Sequence, residues 1–155
     1  MRLDYINPFI ESATAVLSML TGMPVERGTM ELRRDASATK EVMAVIGMAG
    51  EVEGRVILEM NNDTALAIAG IMNQEPFEEL SHLVQDTLME LTNLVVAKAV
   101  SMLNERGFLF KLTPPLIFTG ANLSTGSMNL ETLVIPLRAS AGEMNLNVAL
   151  RMNKL

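Results

Sequence analysis

The sequence predicts an α+β fold, two pseudo-repeated helix-plus-three-strand units that build an antiparallel sheet with long helices packed on it. Three observations predict this. A long apolar helix candidate runs from about Glu78 to Glu105. Shorter segments rich in Val, Ile and Leu are separated by turn residues at hairpin spacing. One of those hairpins recurs late in the chain, and a duplicated unit constrains topology more tightly than propensity does.

Taken in order, the first helix is predicted from about Pro8 to Leu20. Asn7 stands as its N-cap, Pro8 at the first helical position, where a missing N–H costs nothing, and Gly22 just past its end. Three strand-like segments follow, about Val25–Arg33, Glu41–Met48 and Glu53–Met60. Ala49-Gly50-Glu51 between the last two suits a hairpin turn, so the three read as an antiparallel meander. Asn62-Asp63-Thr64 caps a short helix that continues to about Met72, and Asn73-Gln74-Glu75-Pro76 breaks it. The long helix then has Ser81 as a candidate cap within it and Gly107 as its stop. Beyond it Phe108–Lys111, Leu116–Thr119, Met128–Ala139 and Glu143–Met152 read as strands, the first two divided by Thr113-Pro114-Pro115.

The repeat is direct. The segment from Ala49 to Asn61 aligns without gaps on the segment from Ala141 to Asn153, with roughly half the positions identical. Upstream, Glu41–Val45 resembles Glu131–Ile135 once the second hairpin is allowed about two extra residues. The chain therefore divides into units of approximately 1–77 and 78–155. At 155 residues, with no linker, it is expected to be a single domain.

Composition narrows the chemistry. An apolar share of 49% against 19% charged is too high for intrinsic disorder, yet no run approaches the roughly 18 apolar residues of a membrane span. The opening Met1-Arg2-Leu3-Asp4-Tyr5 lacks the apolar core of a secretory signal, and a cytoplasmic protein is expected. Without cysteine, thiolate catalysis, disulfides and cysteine–zinc sites are excluded, and the single histidine, His82, excludes multi-histidine metal sites. A net charge of −6 disfavours nucleic acid as the partner, because phosphate neutralisation needs clustered Lys and Arg, and points to protein instead. The thirteen methionines sit within apolar periodic segments and are read as core filler.

On the long helix, apolar residues cover most of the circumference, so its polar positions need a reason. At 100° per residue, Asp86, Glu90, Asn93, Ala97 and Asn104 share one narrow face, which places an acid, an acid and an amide at i, i+4 and i+7. Spacing alone is better explained by a solvated helix edge. An acid/base pair is a weaker reading, since no nucleophile or metal partner accompanies the two acids.

With these residues the chain resembles the CheC/CheX chemotaxis phosphatases. Their helices carry Asp or Ser, three residues, Glu, two residues, Asn, with a proline about two dozen residues further on. Asp86-Thr87-Leu88-Met89-Glu90-Leu91-Thr92-Asn93 matches the helical part, and Pro114 and Pro115 lie near the expected proline, Pro115 one residue short of it. The first helix offers Asn7, Glu11 and Thr14 at the same spacing, but with a hydroxyl where the amide belongs, so one working site per chain is expected.

The resemblance implies a phosphatase acting on an aspartyl-phosphorylated CheY-like receiver. No cofactor would be bound by this chain, the Mg2+ being carried by the phosphorylated partner. Asn93 would hold the attacking water in line and Glu90 would pair with the receiver's active-site lysine. Asp86 would be an outer contact or a helix-positioning residue, and Ala97 would belong to the same docking face. A homodimer joined through a continuous sheet is also implied. Two other classes remain open. One is a non-enzymatic module that binds a receiver or motor-switch protein through the same helix. The other is a small-molecule-binding domain whose methionines line an apolar pocket, which ligand-dependent thermal stabilisation would reveal.

Overall fold

The computed structural model describes residues 3–34, 40–121 and 131–152. Its elements in order are α1 (Leu3–Thr21), β1 (Glu26–Arg27), β2 (Glu31–Arg33), β3 (Val42–Gly50), β4 (Val52–Met60), α2 (Asn62–Asn73), α3 (His82–Glu105), β5 (Phe110–Leu112), β6 (Leu116–Thr119), β7 (Thr132–Ala139) and β8 (Gly142–Met152). The α+β class read from the sequence is the observed one. The beginning of the strand predicted from Met128, and Asn153 at the end of the repeat, lie outside the described residues.

All strand pairs are antiparallel, in the order β1-β7-β8-β4-β3-β5, with β2 also on β7 and β6 also on β3. The long strands form two hairpins, β3–β4 and β7–β8, which meet along β4 and β8. There Val56 lies opposite Val148, and these are the residues that the repeat aligns with each other. Two details differ from the sequence reading. The segment Val25–Arg33 is two short strands, and both pair with β7 rather than extending a meander onto β3, because Gly28 donates its N–H to the Pro136 carbonyl at 2.8 Å and turns the chain along that edge. The hairpin offset also differs. Met48 pairs with Gly54 where Ile135 pairs with Leu146, so the second hairpin exceeds the first by more than the two residues allowed for.

One face of the sheet packs on the helices. Alternate residues Val52, Val56, Leu58 and Met60 of β4 and Met144, Leu146, Val148 and Leu150 of β8 share a core with Ile6, Phe9 and Leu17 of α1 and Leu88, Leu91, Val95 and Leu103 of α3. Burying each such large side chain contributes about 1.5–3 kcal/mol relative to leaving it exposed. Met43, Met48, Met60 and Met144 are core filler as read from the sequence, but Met19, at 71% exposure, is not.

The first helix begins earlier than predicted, at Leu3, so Asn7 does not cap it and Pro8 lies inside. Proline removes the N–H that would bond the carbonyl four residues back. That carbonyl, on Asp4, accepts instead from Arg106 Nη1 at 3.3 Å, while Tyr5 meets Phe108 edge to face. These contacts set the start of α1 against the end of α3, so the two helices run antiparallel.

For α3, Ser81 is the N-cap itself, accepting from the Val84 N–H at 3.3 Å, and Glu78 to Leu80 precede the helix. A Ser81→Ala variant is expected to lose about 1 kcal/mol of stability, measurable by urea denaturation. The other end closes as the sequence suggests. Gly107 at φ 93° lets its N–H reach the Asn104 carbonyl and that of Phe108 reach Leu103, the paired bonds of a Schellman stop.

Candidate functional site

The buried side of α3 carries Val84, Leu88, Leu91, Val95, Val96, Ala99 and Leu103, and the opposite side faces solvent. Asp86, Glu90, Asn93 and Ala97 all lie on that exposed side, as the periodicity predicts. Residues three and four apart on a helix are surface neighbours, so Glu90 touches the turns of both Asp86 and Asn93. Among the described residues, none of Asp86, Glu90 and Asn93 has a hydrogen-bond or ion-pair partner. Their polar atoms are therefore available to something outside the chain. Leu83 and Leu94, 46% and 38% exposed, flank the stripe on the same side and add apolar area that a partner could cover.

The hydroxyls nearby are committed. Thr87 donates to the Leu83 carbonyl at 2.7 Å and Thr92 to the Leu88 carbonyl at 2.8 Å, both back along their own helix. On α1, Asn7 and Glu11 are exposed, whereas Thr14 is half-buried and donates to the Ile10 carbonyl at 2.7 Å. A hydroxyl spent on its own backbone does not project toward a partner as an amide would, so the equivalent face of α1 lacks the third member of the stripe. No group of three or more His, Asp or Glu side chains among the described residues could hold a metal ion. The stripe can therefore accept and donate hydrogen bonds and present negative charge.

Two side chains that sequence reasoning did not single out reach α3 from other elements. Ser12 Oγ of α1 donates to the Val95 carbonyl at 2.6 Å in a fully buried contact, and Asn73 Nδ2 of α2 donates to Thr87 Oγ1 at 2.8 Å. A polar residue on the apolar side of α1 was the one available signal for Ser12. For Asn73, a helix terminus explained the residue type equally well.

Two cavities lie away from the stripe. One of about 260 Å3 is lined by charged residues including Arg27, Lys40, Arg138 and Glu143, and an apolar one of about 360 Å3 by Leu66, Ile71, Pro76 and Phe77. Among the described residues, Met144 is the one methionine lining the first, and none lines the second. In the first, the hydrogen bond from Arg138 holds Glu143 below the ordinary carboxylate range and raises Arg138 in return. No helix of the described residues is long and apolar enough to cross a membrane.

The CheY-P phosphatase CheX of Thermotoga maritima is 24% identical to this chain over 139 residues, 89% of each chain. A CheC-like superfamily protein from Shewanella sp. PV-4 superposes with a TM-score of 0.88 at 27% identity, over 97% of this chain and 99% of that one. A chain of the crystallised CheX–CheY–BeF3–Mg2+ complex from Borrelia burgdorferi superposes with a TM-score of 0.84 at 31% identity, with the same coverage. The family model described as chemotaxis phosphatase CheX matches residues 42–138, which take in β3 to most of β7 and the whole of α3. With that match spanning more than half its length, the chain belongs to the chemotaxis phosphatase CheX family.

Proposed function

We propose that this phosphatase removes phosphate from an aspartyl-phosphorylated CheY-type receiver, with Asn93 positioning the attacking water and Glu90 fixing the docked partner. The observation that carries the reading is a Glu90–Asn93 pair whose side chains have no partner among the described residues, exposed on a helix whose other side is locked into the core. A Thermotoga maritima relative bears the name CheY-P phosphatase, and a Borrelia burgdorferi relative was crystallised with CheY, BeF3 and Mg2+. Both support the choice of partner.

The chemistry asks little of this chain. In hydrolysis the water oxygen bonds to phosphorus, the bond between phosphorus and the receiver's aspartyl oxygen breaks, and the carboxylate leaves as phosphate is released. The receiver brings the Mg2+, which neutralises charge on the phosphoryl oxygens. The Asn93 amide carbonyl accepts a hydrogen bond from the water and holds it opposite the leaving oxygen. Glu90, one turn away, pairs with the receiver's lysine and so sets the register of docking. Asp86 extends the acidic edge as an outer contact, and Ala97 leaves room for close approach.

We read the chain as one domain of two related units with a single working site, the α1 counterpart being closed by the bond Thr14 makes to its own helix backbone. A homodimer through a sheet edge fits the exposed Leu116 and Phe118 of β6. A receiver of this class works in the cytoplasm, and we infer the same location for this chain.

The test is the rate of phosphate loss from a phosphorylated chemotaxis receiver with Mg2+, with and without this protein. Acceleration is expected. Glu90→Ala should raise KM about tenfold or more, the loss of one charge-assisted contact, with a smaller change in kcat. Binding without acceleration would replace the enzyme by a receiver-binding module, and neither binding nor acceleration with cognate receivers would end both readings.

A further inference from the structure

The stripe on α3 is bracketed by the two hydrogen bonds that reach the helix from other elements. Asn73 Nδ2 meets Thr87 Oγ1 at 2.8 Å, one residue after Asp86, and Ser12 Oγ meets the Val95 carbonyl at 2.6 Å, two residues after Asn93. The first continues along the helix, since Thr87 donates in turn to the Leu83 carbonyl. Among the described residues, no other side chain from another helix or strand hydrogen-bonds to α3. Apart from the Arg106 bond to the Asp4 carbonyl just past its C-terminal end, the rest of its support is apolar packing, which is non-directional, whereas a hydrogen bond weakens steeply as its angle departs from linear. We propose that Ser12 and Asn73 are positioning residues that fix the roll of α3 about its axis and so aim Asn93. This rests on the phosphatase reading above.

Leverage makes the effect large. A roll of about 10° displaces a side-chain tip lying about 6 Å from the helix axis by about 1 Å. A misplacement of that size at a water-positioning group can cost about 100-fold in rate. Ser12 suits the task because it is small, fully buried and tied to a backbone atom, so it tolerates little sliding between α1 and α3. Asn73, the last residue of α2, holds the other end of the stripe and also donates to its own Ala69 carbonyl at 2.9 Å, which fixes the amide plane.

The experiment compares wild type, Ser12→Ala, Asn73→Ala, Ser12→Thr and Leu17→Val. Single-turnover phosphate loss gives the rate, titration with the beryllofluoride-loaded receiver and Mg2+ gives affinity, and thermal unfolding gives stability. Ser12→Ala and Asn73→Ala are each expected to lower the rate about tenfold with affinity unchanged within about twofold. Ser12→Thr, which keeps the hydroxyl, should recover most of the rate. Leu17→Val removes core volume from α1 without touching either bond, and should keep the full rate despite a lower Tm. Rates that track Tm across the whole set, or wild-type rates in both alanine variants, would overturn the proposal. Asn73 is only half-buried, so its variant keeps the test alive if Ser12→Ala does not fold. An inactive wild type would instead overturn the phosphatase reading, and that arm is measured separately.

Discussion

Asn93→Ala is expected to leave phosphate loss from the receiver close to its unassisted rate, a fall of about 100-fold or more in the acceleration. The amide carries both a carbonyl that can accept from a water and an N–H that can donate to a phosphoryl oxygen. Its removal should not disturb the fold, because Asn93 is exposed and has no partner among the described residues. Alanine is also the better helix former by about 0.6 kcal/mol, so the variant should unfold at the same temperature as wild type or slightly above it. Affinity for the beryllofluoride-loaded receiver should be largely retained, since Glu90 and the flanking Leu83 and Leu94 stay in place. The informative result is therefore a split, with docking kept and turnover lost. An Asn93→Ala protein that accelerates hydrolysis as wild type does would remove Asn93 from the mechanism.

Gly54→Ala should carry the largest stability loss of any single methyl added to this fold. Gly54 lies in β4 opposite Leu150 of β8, at the join of the two hairpins, with φ 153°. A Cβ built there would stand 1.8 Å from the Ala149 carbonyl oxygen and 2.8 Å from its carbon. Both are backbone atoms of a paired central strand, so no rotamer change can relieve the clash. The ladder must part or the strand must shift. A loss above about 4 kcal/mol is expected, at the upper end of what single substitutions do, measured as the denaturation midpoint against wild type. Gly47→Ala is the matched comparison. Its Cβ would meet only the Thr113 side chain, with the methyl at 3.1 Å, and Thr113 sits in the exposed loop after β5. A cost near 1 kcal/mol is expected there. Equal losses at both glycines would contradict this account of the β4–β8 join.

What the sequence revealed and what it concealed divide along the range of the interactions. The ends of α3 were legible because a serine cap and a glycine stop act within a few residues. The stripe was legible because helical geometry alone decides that Asp86, Glu90 and Asn93 share a face. The start of α1 was not, since a proline inside a helix reads as a beginning unless one knows that Arg106, 102 residues away, satisfies the carbonyl that Pro8 leaves free. The partners of Val25–Arg33 were hidden for the same reason. Local alternation suggested the next strand in the chain, whereas the segment pairs with β7, from the other half. Ser12 and Asn73 were missed because their hydroxyl and amide matter only through contacts with α3.

That exchange between halves has a consequence for how the chain can fold. The first half supplies β3 and β4 but places its own β1 and β2 on β7 of the second, while β5 and β6 of the second half cover β3 of the first. Neither half closes its own sheet, so synthesis must pass Leu133 before β2 finds a partner and must reach β5 before the far edge of β3 is sheltered. Pairings so distant in the chain charge their loop-closure entropy before any contact repays it, which places this topology among the slower folders of its size. Until then the nascent first half carries an open strand edge, the kind that recruits another copy of itself. Two such halves trading edge strands would be a swapped dimer, and a covalent link between them turns that bimolecular exchange into an intramolecular one.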